Sequence, residues 1–167
     1  MRKASAALAT FVFFFLAPGV VAGFVPWRIT HWTFHRSWWD PRPLRWLGAA
    51  LIVIGLIALL ECFIRFAVRG RGTPAPVMPT EVLVVSGLYR YVRNPMYVAV
   101  FAIVLGQAVL FASGATAVYA ACTWTACTLF VLLYEEPTLR RRYGAQYETY
   151  CRHVRRWIPR LTPWHGE

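Results

Sequence analysis

Acidic residues are scarce in this chain. Seven Asp and Glu stand against eighteen Lys and Arg, giving a formal net charge of +11 over 167 residues. Each carboxylate therefore stands out, above all the adjacent pair Glu135-Glu136. Period-two alternation is missing from the apolar runs, which excludes a sheet architecture. No Gly-rich phosphate loop, nucleophile elbow or metal-ligand signature is present. The four cysteines, Cys62, Cys122, Cys127 and Cys151, lack paired zinc-type spacing. Three of them lie in apolar or interfacial stretches, where a free thiol behaves as a small hydrophobe. Neither a disulfide nor a metal site is expected, and the chain shows no internal repeat or low-complexity tract.

Apolar sequence is abundant instead. The chain is 58% hydrophobic with a mean hydropathy of +0.46, too apolar for a soluble domain of this size. Eight Trp and eight Tyr lie largely beside the apolar runs, as expected of side chains at headgroup level. The basic residues cluster at the ends of those runs and in the tail, which points to anionic lipid rather than nucleic acid as their counter-charge.

A spanning helix needs about 20 predominantly apolar residues. Four stretches qualify, at about 4–24, 44–68, 96–112 and 115–134. The expected class is therefore all-α: a single polytopic membrane domain over residues 1–167 with four transmembrane helices. The first stretch has a rival reading as a cleaved signal peptide, with Arg2-Lys3 as its basic start and Val20-Val21-Ala22 as a cleavage context. With four spans, the N-terminus, the segment 69–94 and the tail share one side, rich in arginine and so expected to be cytoplasmic.

Ser113-Gly114 joins the third and fourth stretches so tightly that they must form an antiparallel hairpin. Asn94 is placed to cap the first hairpin helix, with Pro95 at its first position, where a missing N–H costs nothing. The hairpin brings Arg93-Asn94-Pro95-Met96-Tyr97 back beside Glu135-Glu136-Pro137-Thr138-Leu139. Pro137 disfavours helical backbone at Glu136, so a break is expected there. Beyond it, Leu139, Tyr143, Tyr147, Tyr150, Val154 and Trp157 form one apolar stripe of an amphipathic interfacial helix. The proline-rich segment 70–79 reads as extended, either a linker or a wall over a pocket.

Two readings of the polar segments stay open. The glutamates either serve a ligand or partner the nearby arginines, since carboxylates at membrane depth are costly without a cation. Arg93, Asn94 and Tyr97 form either an anion-attracting helix start or a plain capped one. Glu61 and Arg65 have helical ion-pair spacing, with a substrate role as the alternative. His31 and His35 share that spacing, but no third ligand for zinc stands nearby.

At these residues the sequence resembles the membrane-embedded methyltransferases typified by isoprenylcysteine carboxyl methyltransferase and phospholipid N-methyltransferase. The resemblance rests on Leu83-Val84-Val85-Ser86-Gly87-Leu88-Tyr89, Arg93-Asn94-Pro95-Met96-Tyr97, Glu135-Glu136-Pro137-Thr138-Leu139, Tyr143-Gly144-Ala145-Gln146-Tyr147-Glu148-Thr149-Tyr150 and Pro159. It implies S-adenosylmethionine as cofactor, entering from the cytosol into a pocket built from segments 70–97 and 135–160. It further implies cofactor contacts from Gly87, Leu88, Tyr89, Asn94, Pro95, Tyr97, Glu135 and Glu136, with Arg93, Glu135 and Glu136 catalytic. Methyl transfer to a lipophilic acceptor would be an in-line displacement, with reacting atoms about 3–3.5 Å apart. Two departures bear on the acceptor. Asn94 stands where the family often has His. Residues 130–134 lack the arginine of the isoprenylcysteine enzymes, which speaks against a prenylcysteine carboxylate and leaves lipid amines, other lipophilic nucleophiles and thiols open. A sterol-reductase-like enzyme using a nicotinamide cofactor and a non-catalytic membrane protein are the alternatives.

Overall fold

The computed structural model of the protein describes residues 18–34, 42–69 and 83–166. Most of the first expected span, the proline-rich segment 70–79 and His35 lie outside those residues. The described residues are all-helical, without strands.

Helix α1 (Val20–Thr30) opens with a π turn at Val20–Phe24. Helix α2 spans Arg42–Arg69, and its stretch Pro43–Arg65 is long and apolar enough to cross a membrane. At 23 residues that stretch measures about 35 Å, against about 30 Å of hydrocarbon. Helix α3 (Pro95–Leu110) is apolar throughout but shorter, with 16 residues. Helix α4 (Gly114–Phe130) runs on through a second π turn, Val131–Glu135, into α5 (Glu136–Tyr143). Together Gly114–Tyr143 makes the second helix with membrane-crossing length and composition. Helix α6 (Ala145–His153) follows, and an irregular tail folds back toward the start of α3.

Helices α2 and α3 pack through glycine. A Cβ at Gly48 would lie 2.6 Å from the Leu110 nitrogen, and one at Gly106 would lie 2.7 Å from the Gly48 carbonyl oxygen. Small residues let apolar helices approach at backbone distance, where dispersion accumulates without help from water exclusion. Leu59, Phe63, Ala99, Val100, Ile103, Val104 and Ala120 fill the surrounding core. Val53, Ile54, Ile57, Leu60 and Ile64 leave an apolar face of α2 exposed. The buried Gln107 ties in α1: its Nε2 donates to the Ala22 carbonyl at 2.6 Å, and its Oε1 accepts from Trp32 Nε1 at 3.3 Å.

The α3–α4 connection forms as expected. Ser113 is the N-cap of α4, its Oγ accepting from the Thr116 N–H at 3.2 Å. Three other expectations are corrected. Asn94 occupies the N-cap position of α3, but its side chain makes no capping bond; its Nδ2 donates instead to the Arg156 carbonyl at 3.3 Å. The tail's return captures the amide before the helix end does.

The expected break at Glu136 is also absent, and Glu136 has helical backbone at φ −61° and ψ −45°. The Glu136 N–H bonds to the Val131 carbonyl, five residues back. This π turn absorbs one residue and delivers Pro137 to the first turn of α5, where no N–H is required.

The break comes at Gly144, whose φ +51° and ψ −127° suit glycine, so the expected single interfacial helix is two short ones. Tyr147, Tyr150 and Val154 beyond it still share a face with Leu139 and Tyr143 before it, and pack against Leu83, Val85 and Trp164. Trp157 leaves the stripe and meets Trp124 of α4, ring centroids 4.7 Å apart.

Candidate functional site

The site forms where the ends of the α3–α4 hairpin meet the returning tail. The approach to α3 is irregular: Ser86 is extended, Gly87–Arg90 makes a short 3₁₀ turn, and Gly87 has φ +58°. Main-chain bonds then lash the tail across it, from Arg93 N–H to the Arg155 carbonyl, Arg160 N–H to Tyr91 and Trp164 N–H to Arg90, all at 2.9–3.0 Å. The Tyr150 hydroxyl donates to the Tyr89 carbonyl at 2.6 Å, which fixes α6 against the same turn. Burial pushes the Tyr150 and Tyr89 phenols up, so both stay protonated at neutral pH.

Glu135 and Glu136 are neighbours with opposite environments. Glu136 is only 3% exposed and is held by guanidinium groups on several sides. Its Oε1 accepts from Arg93 Nη1 at 3.0 Å and Arg156 Nε at 2.6 Å. Its Oε2 accepts from Arg156 Nη2 at 3.0 Å and lies 3.7 Å from Arg140 Nη2. The bond from Arg156 is bidentate, the geometry that suits a planar guanidinium on a carboxylate. That bond raises the Arg156 pKa further above its ordinary value. Arg140 also reaches Glu148 at 2.9 Å, and Arg93 Nη1 contacts the Cys151 sulfur at 3.0 Å.

Glu135 has one hydrogen-bond partner among the described residues: the Tyr97 hydroxyl, which donates to Oε2 at 2.7 Å. No guanidinium pairs with it among those residues, so it keeps acceptor capacity that Glu136 has already spent. One carboxylate is neutralised and the other is not, although they are consecutive. Consecutive positions on a helix point about 100° apart, which lets the two side chains reach different partners.

Every expected site residue is therefore in this region. Arg93, Asn94, Tyr97, Glu135 and Glu136 come together across the hairpin, with Pro95 buried at the helix start. Leu88 and Tyr89 sit half-buried in the 3₁₀ turn. The Tyr89 phenol lies toward α2, against the Cys62 thiol, and within electrostatic reach of Glu135. Gly87 faces α2 rather than α5, close against the Glu61–Arg65 pair, which is joined at 2.7 Å. Arg156 and Arg140 complete the carboxylate clamp; the sequence offered nearby arginines in general as partners of the glutamates without assigning these two to Glu136. Only the tail's return selects them.

A groove of about 370 Å³ lies beside the hairpin end, walled by Leu83, Val85, Ala145, Gln146, Thr149 and Trp164. Neither Glu135 nor Glu136 lines it. No cluster of metal-ligating side chains occurs among the described residues.

No curated protein and no solved structure matches the chain significantly. One family profile does, that of the phospholipid methyltransferases, over residues 44–146. The matched region runs from the start of α2 to the start of α6 and takes in both carboxylates, the Arg93–Tyr97 segment and the whole helical hairpin. With well over half of its length covered by that profile, and with these segments assembled at one end of a helical hairpin, the chain belongs to the phospholipid methyltransferase family.

Proposed function

We propose that the protein transfers a methyl group from S-adenosylmethionine to the head-group nitrogen of a membrane lipid. The observation that carries this reading is the cross-hairpin pairing of Tyr97 with Glu135 beside the arginine clamp on Glu136. A cationic donor with an amino-acid end suits that set of groups: an uncompensated carboxylate for positive charge, and guanidinium groups nearby for a carboxylate. The groove is within the size range of small-molecule pockets; Leu83, Val85, Ala145, Gln146 and Thr149 of its wall come from the two segments expected to enclose the cofactor, and Trp164 from just beyond them.

When bound, the cofactor supplies an electrophilic methyl group on a sulfonium sulfur. Glu135 offers negative charge to the cationic ligand, and the Tyr97 hydroxyl holds that carboxylate in one orientation. Glu136 serves as the pin through which Arg93 and Arg156 fasten the tail to the hairpin. Arg93, Asn94 and Pro95 position the start of α3, while Gly87, Leu88 and Tyr89 shape the neighbouring wall. For an amine acceptor, Glu135 also offers a carboxylate able to take the proton released on methylation. The apolar faces of α2 and α4 suit lipid contact, and the lipid head group approaches between the helices. The arginine-rich end that carries the site faces the cytoplasm in this reading, with the N-terminus on the same side.

The test is transfer of label. Purified protein in micelles of phosphatidylethanolamine is supplied with methyl-labelled S-adenosylmethionine, and label is followed into the lipid. The expected result is mono- and then further methylated head groups, with the rate reduced by about tenfold or more in Tyr97→Phe. Absence of labelled lipid with the wild-type protein contradicts the proposal.

A further inference from the structure

Outside the carboxylate site, the contact between α2 and Ser86-Gly87 holds two buried polar atoms without partners among the described residues. Glu61 Oε1 is bonded to Arg65 Nε at 2.7 Å, but Glu61 Oε2 is buried with no hydrogen bond. Ser86 is 5% exposed, and its hydroxyl is likewise unpaired. Native proteins leave few such groups, because each unsatisfied one costs roughly 1–3 kcal/mol. Here two stand on adjoining elements. Gly87 keeps the space narrow: at φ +58° it approaches so closely that a Cβ would collide with Glu61 Oε1 and lie 2.8 Å from Arg65 Nε.

One edge of this contact is open, while the two unpaired atoms themselves lie covered beneath it. The Glu61 and Arg65 side chains are 29% and 37% exposed, between the exposed apolar residues Ile57, Leu60 and Ile64 of α2. It also neighbours the carboxylate site: Tyr89, two residues after Gly87, hydrogen-bonds the Cys62 thiol, next in sequence to Glu61, and is within electrostatic reach of Glu135. A lone cation does not suit an ion pair that is already neutral. A zwitterion does: its ammonium N–H groups meet the free Glu61 oxygen and the Ser86 hydroxyl, and its adjacent anion meets the outer nitrogens of Arg65.

We propose that Glu61, Ser86 and Arg65 form a subsite for a zwitterionic group in which an ammonium stands beside an anion. This rests on the methyltransferase reading, which supplies two sources of that chemistry: the phosphoethanolamine head of the lipid, and the amino-acid end of the cofactor. Glu61 is then a ligand-contacting residue on a helix that carries none of the motif residues.

The experiment measures equilibrium binding of two probes to the full-length protein in detergent, dihexanoyl phosphatidylethanolamine and S-adenosylmethionine. Wild type is compared with Glu61→Gln and Ser86→Ala, and a thermal unfolding curve verifies that each variant is folded. Ser86→Ala removes an unpaired hydroxyl, so its stability is expected to hold or rise while its affinity falls. Weakening of lipid binding by about tenfold in Glu61→Gln, with cofactor binding unchanged, assigns the subsite to the lipid head group. The converse pattern assigns it to the cofactor. Folded variants that bind both probes like wild type overturn the subsite and leave the methyltransferase reading standing. A wild-type protein that binds neither probe overturns both.

Discussion

Two regions of this molecule are held together by opposite means. The α2–α3 pair is joined by bare backbone contact at Gly48, Gly55 and Gly106, with apolar side chains filling the remainder. The junction of hairpin and tail is joined by ions and hydrogen bonds: Glu136 with its arginines, Asn94 on the Arg156 carbonyl, Tyr150 on the Tyr89 carbonyl. In an apolar solvent, helices gain nothing from hiding apolar surface, so close packing has to supply the attraction. At a polar boundary, directional bonds select one arrangement of otherwise soluble segments. In the proposed reading, affinity for a ligand belongs to the second region, and the first acts as its frame.

Substitutions sharpen that contrast, and the largest effect is expected at the clamp. Glu136→Gln leaves Arg93, whose side chain is 11% exposed, without its counter-charge, and stability in detergent should fall by about 3 kcal/mol. A thermal unfolding curve checks this; a loss below 1 kcal/mol means that the arginines find other partners. Next comes the frame. Gly106→Leu drives a side chain into the Gly48 carbonyl and Ile52, so a loss of about 2–3 kcal/mol is expected by the same measurement.

Tyr97→Phe removes one charge-assisted bond and should cost about 1.5–2 kcal/mol, with its main effect on ligand binding. The smallest effect is expected at the rim. Arg140→Ala loses contacts made by a side chain that is 46% exposed, and its unfolding midpoint should stay close to that of wild type, within about 1 kcal/mol. If Arg140→Ala proved as damaging as Glu136→Gln, the clamp would extend outward to Glu148.

The helical hairpin was legible in the sequence because its determinants are local: long apolar runs, a short connection at Ser113-Gly114 and its neighbours, and Pro95 at a helix start. Meeting of Arg93 and Tyr97 with the glutamate pair followed from hairpin geometry alone. The different partners of Glu135 and Glu136 were not legible. They depend on the return of the tail, which brings Arg156 from twenty residues further along. Asn94 misled for the same reason, since its capping preference yields to a tail carbonyl that only tertiary structure brings near. Glu61 and Arg65 were legible as an ion pair, but the unpaired second oxygen and the press of Gly87 were not, because both arise from packing between α2 and the segment before α3.

The central claim is that Glu135 holds ligand while Glu136 holds structure. The most direct measurement pairs S-adenosylmethionine affinity with the thermal unfolding midpoint in Glu135→Gln and Glu136→Gln. Glu135→Gln is expected to lose about tenfold or more in affinity at a nearly unchanged midpoint, and Glu136→Gln to lose several degrees. Full affinity in Glu135→Gln, or a wild-type midpoint in Glu136→Gln, contradicts the claim.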